Sequence, residues 1–481
     1  MIALAHAPLP IAALCTRSRA RRRTSGVPRA VAAQPPGDHD ESFGRAVPYL
    51  RGEFVGLDES SSTPHVVRAH HAMGASTFFA PSLSLLGPGA LRRLGPIIAA
   101  TGAKTALVIT GDRTFDVTGV IPELRAVLLE DAGLKVEIFD EVTQNPTTQQ
   151  VRAATIMAEE IDADCIVSVG GGSCHDAAKL VRALYRNGAG QTSVEELEGV
   201  DNVRGAPFAP HYAVSTTATS GSSSELTRLA VISDPLNHKD MSVIDHSLTP
   251  SVSCVVTAPT RGRPELIAAS GLLALGHAVE AFLSTASSPV TDAAAIHSIR
   301  LLSSYLRRAV QDKDDEFARD MVSYADFLAG LAFNSAGLGW TVAMGNATCA
   351  IYINARVSEC VAVYLPHVLE FYGQGSDATK ELFVDVAEAM GVSAASPKDA
   401  VAAVVLAVAR LAADVDIPGT IRELTAHRKL EMHKSAIPEM AEKALRDPAS
   451  VTAPRDAKIG DIEHLFVQAW EETKAGGRDG A

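Results

Sequence analysis

The chain has 481 residues, of which 47% are hydrophobic and 21% are charged, and its formal net charge is -13. This length can bury one large or two ordinary hydrophobic cores. The negative charge argues against a nucleic-acid partner. No apolar run is long enough for the roughly 18–20 residues of a membrane span, so we expect no membrane partner either. Six cysteines are scattered without metal-type or disulfide spacing, which is typical of a reducing compartment.

Residues 1–37 differ in composition from the rest of the chain. They contain no Asp or Glu, and their six arginines follow an apolar segment. This order is typical of an organellar transit peptide, because a secretory signal carries its basic residues before the apolar segment. A disordered basic tail is the alternative. We therefore expect a plastid or mitochondrial location, with the plastid slightly favoured, and a polar linker over residues 38–75.

Residues 76–262 alternate between short β-branched runs and amphipathic segments. Asn145, Pro146 and Thr147 form a turn whose last residue should cap a helix through residue 160. Strands are predicted over residues 105–110, 135–140, 165–169, 211–215, 241–245 and 252–257. This alternation predicts a parallel sheet covered by helices on both faces.

A glycine turn, Gly170, Gly171 and Gly172, directly follows the strand predicted at residues 165–169. Glycines let the backbone turn sharply and approach a ligand, and Ser173 is expected to cap a helix over residues 174–186. A helix N-terminus at the end of a strand suits a phosphate group. A plain strand-to-helix turn is the alternative.

A second loop, which begins at Thr216 and Thr217 and ends at Glu225, is rich in hydroxyl groups and glycine. Such a loop suits phosphate and sugar oxygens, with a flexible surface loop as the alternative. After about Pro264 the composition changes to long Ala, Leu and Val patterns with helical spacing, so residues 263–475 are predicted to be all-helical. The predicted helices cover residues 265–284, 290–310, 316–334, 380–390, 397–413, 432–446 and 459–473.

The order of these motifs over about residues 77–473 resembles that of the group III, iron-dependent alcohol dehydrogenases. The matching pieces include the glycine turn with Asp176 and Lys179, the loop ending at Glu225, the His277-Ala278-Val279-Glu280 run and Leu365-Pro366-His367-Val368. The resemblance implies an α/β, Rossmann-like N-terminal domain, an all-α C-terminal domain and an active site in the cleft between them. It also implies hydride transfer between small alcohols or aldehydes and a nicotinamide cofactor, in a homodimer.

For the cofactor, the resemblance implies that the Gly170–Ser173 turn holds the pyrophosphate, with Asn145, Thr216 and Thr217 nearby, and that Asp176 is a further cofactor-binding residue. The family often has an aspartate directly after the first strand, where it contacts the ribose hydroxyl and favours NAD. Here that position is Gly111, and Asp112 follows one residue later. NAD and NADP therefore both remain open.

The resemblance also shows where this chain departs from the family, whose divalent metal is held by one Asp and three His. The first two ligands are four residues apart on one helix face, and here they align with Leu273 and His277. The third aligns with Val342 and the fourth with Arg356, while Asn346 replaces a further histidine. A catalytic metal site needs about three protein ligands, so one histidine argues against bound iron or zinc.

We hypothesise that Arg356 replaces the positive charge of the metal and polarises a carbonyl or binds a carboxylate. Asn346 would donate a hydrogen bond to the substrate, and His277 would act as general acid or base. In the alternative, Arg356 points to solvent and the site is inactive. Two further alternatives are a misaligned segment and a different metal site formed by Glu359, Cys349 or Cys360.

The sequence therefore favours an NAD(P)-dependent oxidoreductase with a modified or metal-free site. A catalytically inactive nucleotide-binding protein with an interaction role is the second hypothesis. A different reaction on the same scaffold is the third, since hydroxyacid–oxoacid transhydrogenases, glycerol dehydrogenases and dehydroquinate synthases have a similar architecture. A carboxylated substrate would suit Arg356.

Overall fold

The computed structural model describes residues 77–111, 120–143, 145–186, 190–191, 193–205, 209–216, 223–235, 239–256, 263–352 and 354–474. The predicted transit peptide and linker lie outside these residues. So do two predicted cofactor contacts, Asp112 and Thr217.

The first half of the described chain is built on a six-stranded, fully parallel sheet. The strands of the chain are β1 (Leu83–Leu86), β2 (Thr105–Thr110), β3 (Lys135–Phe139), β4 (Cys165–Gly170), β5 (Gly199–Val200), β6 (His211–Ser215), β7 (Leu229–Asp234), β8 (Lys239–Ile244) and β9 (Val252–Val255). The order in the main sheet is β1-β9-β6-β4-β2-β3, and β5, β8 and β7 form a second sheet. The predicted fold class is thereby confirmed.

Helices cover both faces of the main sheet, as the alternating strand pattern predicts. In β2, Leu107 and Ile109 belong to one buried cluster, whereas Ala106 and Val108 belong to another on the opposite face. Both faces are apolar because successive side chains of a strand point in opposite directions. The helices of this half are α1 (Ala90–Ala99), α2 (Val120–Ala126), α3 (Thr148–Glu160) and α4 (Gly172–Leu184).

The second half is helical from Pro264 onwards. Its helices are α5 (Pro264–Leu283), α6 (Pro289–Gln311), α7 (Glu316–Ala336), α8 (Trp340–Ile351), α9 (Val357–Gly373), α10 (Asp377–Ala389), α11 (Pro397–Asp414), α12 (Ile421–Arg428), α13 (Ile437–Arg446) and α14 (Ile459–Glu471). Their apolar faces share one core that runs from α5 to α14.

Some local predictions are confirmed and others are wrong. Thr147 caps α3 in a reciprocal arrangement with Gln150, as expected. Ser173 does not cap α4, because the helix begins two residues earlier than predicted and its N-cap is Gly171. The strand predicted at residues 241–245 is not in the parallel sheet; it is β8, which pairs antiparallel with β7.

Three helices were not predicted, α8, α9 and α12, and two of them have a common reason. Most residues of α8 and α9 are buried on every side, so no polar face marks their period. Helix α5 is also buried on nearly every side. Contrary to our expectation, it is by length and composition apolar enough to cross a membrane. Within the described residues α5, or α5 and a bent pair made of α7 and α8, meets that criterion; the relevant window of α5 is 94% buried in the protein.

Candidate active site

The glycine turn lies at the carboxyl end of β4, at one edge of the parallel sheet. Gly170 has a φ of 142°, a backbone conformation that residues other than glycine rarely adopt. The chain then enters α4 from Gly171, with no side-chain cap and no acidic residue in the first turn. The N–H of Thr216 donates to the Gly170 carbonyl at 3.1 Å, so the end of β6 lies directly beside the turn. A helix N-terminus of this kind attracts an anion.

The strand order places the glycine turn beside the point where the direction of chain progression reverses. β3 lies on one side of β2, while β4, β6 and β9 follow on the other side. Ligands of open α/β sheets bind at such a switch point, which here lies between Gly111 after β2 and Gly170 at the end of β4. Asn145 also lies at this edge, since it precedes the capping residue of α3 by two positions. The described residues at this edge therefore fit a phosphate group of a nucleotide.

Cys174, in the first turn of α4, is not a reactive group. Burial raises the pKa of this thiol to about 12, although backbone hydrogen bonds from Gly111 and Gly171 lower it in part. The thiol is therefore protonated at physiological pH and packs as a small apolar side chain.

Asp176 and Lys179 point into the protein and tie α4 to the segment that follows the hydroxyl-rich loop. Asp176 Oδ2 accepts from the N–H of Val231 at 3.2 Å. The fully buried Lys179 Nζ donates to Ser224 Oγ at 2.8 Å and to the Leu229 carbonyl at 2.6 Å. Burial lowers the pKa of Lys179 to about 8, and the carboxylate of Asp176 opposes that effect. Contact of Asp176 with a cofactor stays a prediction.

Three helices meet beneath the predicted catalytic residues, and two glycines let them approach. A Cβ atom at Gly276 of α5 would lie 3.1 Å from Val361 Cγ1 of α9. A Cβ atom at Gly345 of α8 would lie 2.9 Å from Val361 Cγ2 and 3.3 Å from Val357 Cγ1. Since Gly276 precedes His277 and Gly345 precedes Asn346, this junction brings the segments of both predicted residues against α9.

The surroundings of His277 are apolar. Its side chain is 4% exposed, and the ring centroid lies 4.6 Å from that of Phe333. Leu273 and Val342, at two of the family's ligand positions, are 5% and 6% exposed and belong to the same core. Neither side chain can ligate a metal, so the donor set of the family's iron or zinc is not present at these positions.

No replacement metal site surrounds His277 among the residues that the structure describes. In that part of the chain, three ligand atoms lie within 4.8 Å of one another only at Asp201, Asp245 and His246, beside the second sheet. The Asp245 carboxylate there already accepts from the N–H groups of Ser247 and Val203. The alternative site formed by Glu359, Cys349 or Cys360 stays a prediction; the Glu359 carboxylate is paired with Arg428.

Arg356 and Asn346 have partners in the protein. Arg356 is the N-cap residue of α9, and its Nη1 lies 3.9 Å from Glu359 Oε1. Asn346 Nδ2 donates to Asp447 Oδ2 at 2.9 Å. Arg356 is 36% exposed in its side chain and is thus not simply directed to bulk solvent. The roles of both residues stay predictions.

Sequence reasoning missed Glu280 as a site residue, although it fixes the start of α8. Glu280 is fully buried; its Oε2 accepts from the N–H of Gly339 at 3.0 Å, and its Oε1 accepts from the N–H of Thr341 at 2.8 Å. The Tyr372 hydroxyl donates to Oε1 at 3.0 Å and accepts from the N–H of Trp340 at 2.7 Å. The available signal was a carboxylate three residues after His277 in an otherwise apolar helix, because such a charge is rarely buried without partners.

Gly339 makes this arrangement possible. A Cβ atom there would lie 2.3 Å from the Tyr372 hydroxyl and 2.7 Å from Glu280 Oε1. The N–H groups of the N-cap residue Gly339 and of the first two residues of α8 are bound by side chains of α5 and α9, which fixes α8 against both helices.

Two family models match consecutive parts of the chain. The model described as "Iron-containing alcohol dehydrogenase" matches residues 81–257, and "Fe-containing alcohol dehydrogenase family, C-terminal" matches residues 267–470.

Individual proteins match over the same region. The NAD-dependent methanol dehydrogenase of Bacillus methanolicus is 34% identical over 397 residues, which are 82% of this chain and 100% of that protein. The 1,3-propanediol dehydrogenase of Citrobacter freundii is 35% identical over 82% of this chain and 98% of that protein. A crystal structure of 1,3-propanediol oxidoreductase superimposes with a TM-score of 0.77 at 34% identity, over 82% of this chain and 100% of that one.

Proposed function

Because the chain belongs to the iron-containing alcohol dehydrogenase family, we propose that it transfers hydride between NAD and an alcohol or aldehyde without the family's metal ion. The observation that carries the metal-free part is the pair of buried apolar side chains, Leu273 and Val342, at two of the family's ligand positions. NAD is favoured over NADP by the relatives, among them the methanol dehydrogenase described as NAD-dependent.

The nucleotide half supports the cofactor assignment. The uncapped N-terminus of α4 receives the pyrophosphate, and Gly170 and Gly171 let the backbone approach it closely. The Asp176–Lys179 network holds α4 against the segment after the hydroxyl-rich loop. When bound, NAD supplies the acceptor or donor of the hydride.

In the catalytic half, the chain's own residues handle the proton and the polar oxygen. During oxidation the alcohol carbon loses a hydride, and the hydroxyl proton passes to the imidazole of His277; both return during reduction. Asn346 donates a hydrogen bond to the reacting oxygen, and Arg356 supplies a fixed positive charge beside the site. The apolar walls formed by Leu273, Val342 and Phe333 exclude water, which strengthens these polar interactions.

A second candidate function is nucleotide binding without turnover. Two contacts favour this function, because they occupy side chains that catalysis would need. Asn346 already donates to Asp447, and Arg356 lies beside Glu359. In that case the first half of the chain still binds the nucleotide, whereas the apolar helical half catalyses no reaction.

Metal content and activity distinguish these proposals. The purified full chain is expected to hold far less than one iron or zinc, to quench or shift NADH fluorescence on binding, and to turn over an alcohol or aldehyde after chelator treatment. A triple variant that restores the family's ligands, Leu273→Asp, Val342→His and Arg356→His, is the positive control and should take up about one metal ion per chain.

Three outcomes are informative. Stoichiometric metal in the unmodified chain, lost together with activity on chelation, would refute the metal-free proposal. NADH binding with no turnover, with or without added Fe(II) or Zn(II), would establish the second candidate function. Failure to bind NADH would overturn the cofactor assignment itself.

The location and assembly complete the proposal. The acid-free, arginine-rich composition of residues 1–37 supports import into an organelle, the plastid before the mitochondrion, and the family resemblance supports a homodimer. A fluorescent fusion of residues 1–37 that stays in the cytosol would contradict the first point. Sedimentation equilibrium at the mass of a single chain would contradict the second.

A further inference from the structure

Two arginines converge on one buried carboxylate at the start of α9. Glu359 is 3% exposed in its side chain, and its Oε1 pairs with the guanidinium groups of both Arg356 and Arg428. The three side chains together carry one excess positive charge. A nearby ion pair, Arg263 with Glu265 at 3.0 Å, adds no net charge.

The donors of these arginines are not fully used by the described residues. The 3.9 Å separation between Arg356 Nη1 and Glu359 Oε1 is too long for a hydrogen bond. Arg428 Nε is buried and has no hydrogen-bond partner in the described part of the chain. The Arg356 guanidinium, 36% exposed and too far from Glu359 for a hydrogen bond, is suited to bind a carboxylate through two of its N–H groups.

Arg356 lies on the helix that packs against the segments of His277 and Asn346. Val357, next to Arg356, contacts the Gly345 position of α8, which precedes Asn346. Val361, five residues along α9 from Arg356, contacts the Gly276 position, which precedes His277. At 1.5 Å per residue, Arg356 lies about 7.5 Å along α9 from the level of Gly276, the residue before His277. One small molecule can span this distance.

We propose that Arg356 and Arg428 bind a carboxylate of the substrate, so that this protein acts on alcohols or aldehydes that carry a carboxylate at the far end of a short carbon chain. The apolar side chains around His277 contact the carbon chain, and the arginine pair binds the anionic end. The inference rests on the proposed function, because it assigns the substrate class of the same site. It gives Arg356 a substrate-binding role in preference to polarising the reacting oxygen.

The test combines turnover with direct binding. ω-Hydroxy acids from glycolate to 6-hydroxyhexanoate are compared with neutral alcohols of equal chain length, using the full chain and NAD. We expect higher kcat/KM for the acids, and we expect Arg356→Met to reduce this preference about 10- to 100-fold, the value of a charged hydrogen-bonded contact. Arg92→Met, which removes an exposed arginine paired with Glu123, is the matched control and should leave the preference unchanged.

Calorimetric titration of butanoate provides a measurement that does not depend on turnover. Arg356→Met should weaken binding by a similar factor, whereas Glu359→Gln should strengthen it because the competing carboxylate loses its charge. NADH binding and thermal unfolding of each variant show whether it has folded.

The outcomes separate this inference from the proposed function. Turnover without a preference for acids, or a preference that Arg356→Met leaves intact, overturns the inference while the oxidoreductase function stands. A loss of kcat with neutral and acidic substrates alike would instead assign Arg356 to polarisation. Butanoate binding that depends on Arg356 in a chain with no turnover supports the carboxylate site and refutes the proposed reaction.

Discussion

Glu280→Gln is expected to destabilise the helical half by weakening the N-terminus of α8. Burial raises the pKa of Glu280 above its usual value, although hydrogen bonds with Thr341, Tyr372 and Gly339 oppose this rise in part. The backbone N–H groups and the Tyr372 hydroxyl all donate to Glu280. We therefore expect the carboxylate to be ionised, since an ionised carboxylate only accepts hydrogen bonds.

The magnitude follows from what glutamine cannot replace. Its single oxygen can accept from Thr341 and Tyr372, but its amide group then faces the N–H of Gly339, donor against donor. One buried N–H left without a partner costs about 1–3 kcal/mol, and the lost charge at the helix N-terminus costs about 0.3–2 kcal/mol. Together these two contributions should lower the free energy of unfolding by about 1–5 kcal/mol.

Urea unfolding followed by tryptophan fluorescence measures this change, because both tryptophans, Trp340 and Trp470, lie in the helical half. Glu442→Gln, at an exposed position of α13, is the matched control and should change stability by less than about 0.5 kcal/mol. In a double-mutant cycle, Glu280→Gln and Tyr372→Phe should couple by about 0.5–3 kcal/mol. A Glu280→Gln variant as stable as the unmodified chain at pH 7 would refute the ionised cap.

Two further predictions concern the nucleotide half and the helix junction. Burial lowers the pKa of His175 to about 3. As the pH drops below about 6.5, this histidine is protonated in the unfolded chain before it is protonated in the folded one. The free energy of unfolding should therefore fall below that pH, by up to about 1.4 kcal/mol per pH unit. Urea unfolding at pH 7.5 and 5.5 should show a smaller pH dependence for His175→Gln, and an unchanged dependence in that variant would contradict the assignment. Gly345→Ala should cost about 1–3 kcal/mol, because the new Cβ would lie 2.9 Å from Val361 Cγ2. Val361→Ala should recover part of this loss, and Gly460→Ala, where a Cβ meets nothing within 4 Å, is the control; equal losses with and without the Val361 change would argue against the contact.

Local features were predictable because neighbouring residues decide them. The strand at residues 211–215 has the predicted bounds, and the Thr147 cap depends only on Gln150 three positions later. The start of α4 was missed by two residues, since the choice between Gly171 and Ser173 as N-cap depends on how the glycine turn leaves the sheet.

Features that depend on distant partners were not predictable. The pairing of β8 with β7 in a separate sheet is a matter of which strands meet, and their hydrophobic patterns do not specify it. Helices α8 and α9 lack a polar face because they are packed on all sides. The cap of α8 joins Glu280 to Tyr372, which is 92 residues away.

The sequence by itself determined the family resemblance, the glycine turn after a buried strand and the absence of ligating side chains at Leu273 and Val342, because each is a matter of residue type and spacing. Only the tertiary structure decided what surrounds those positions. It packed His277 against Phe333, brought α5, α8 and α9 together at Val361 and joined Arg356 and Arg428 at Glu359. These contacts depend on burial and helix packing between distant segments, which no local pattern encodes.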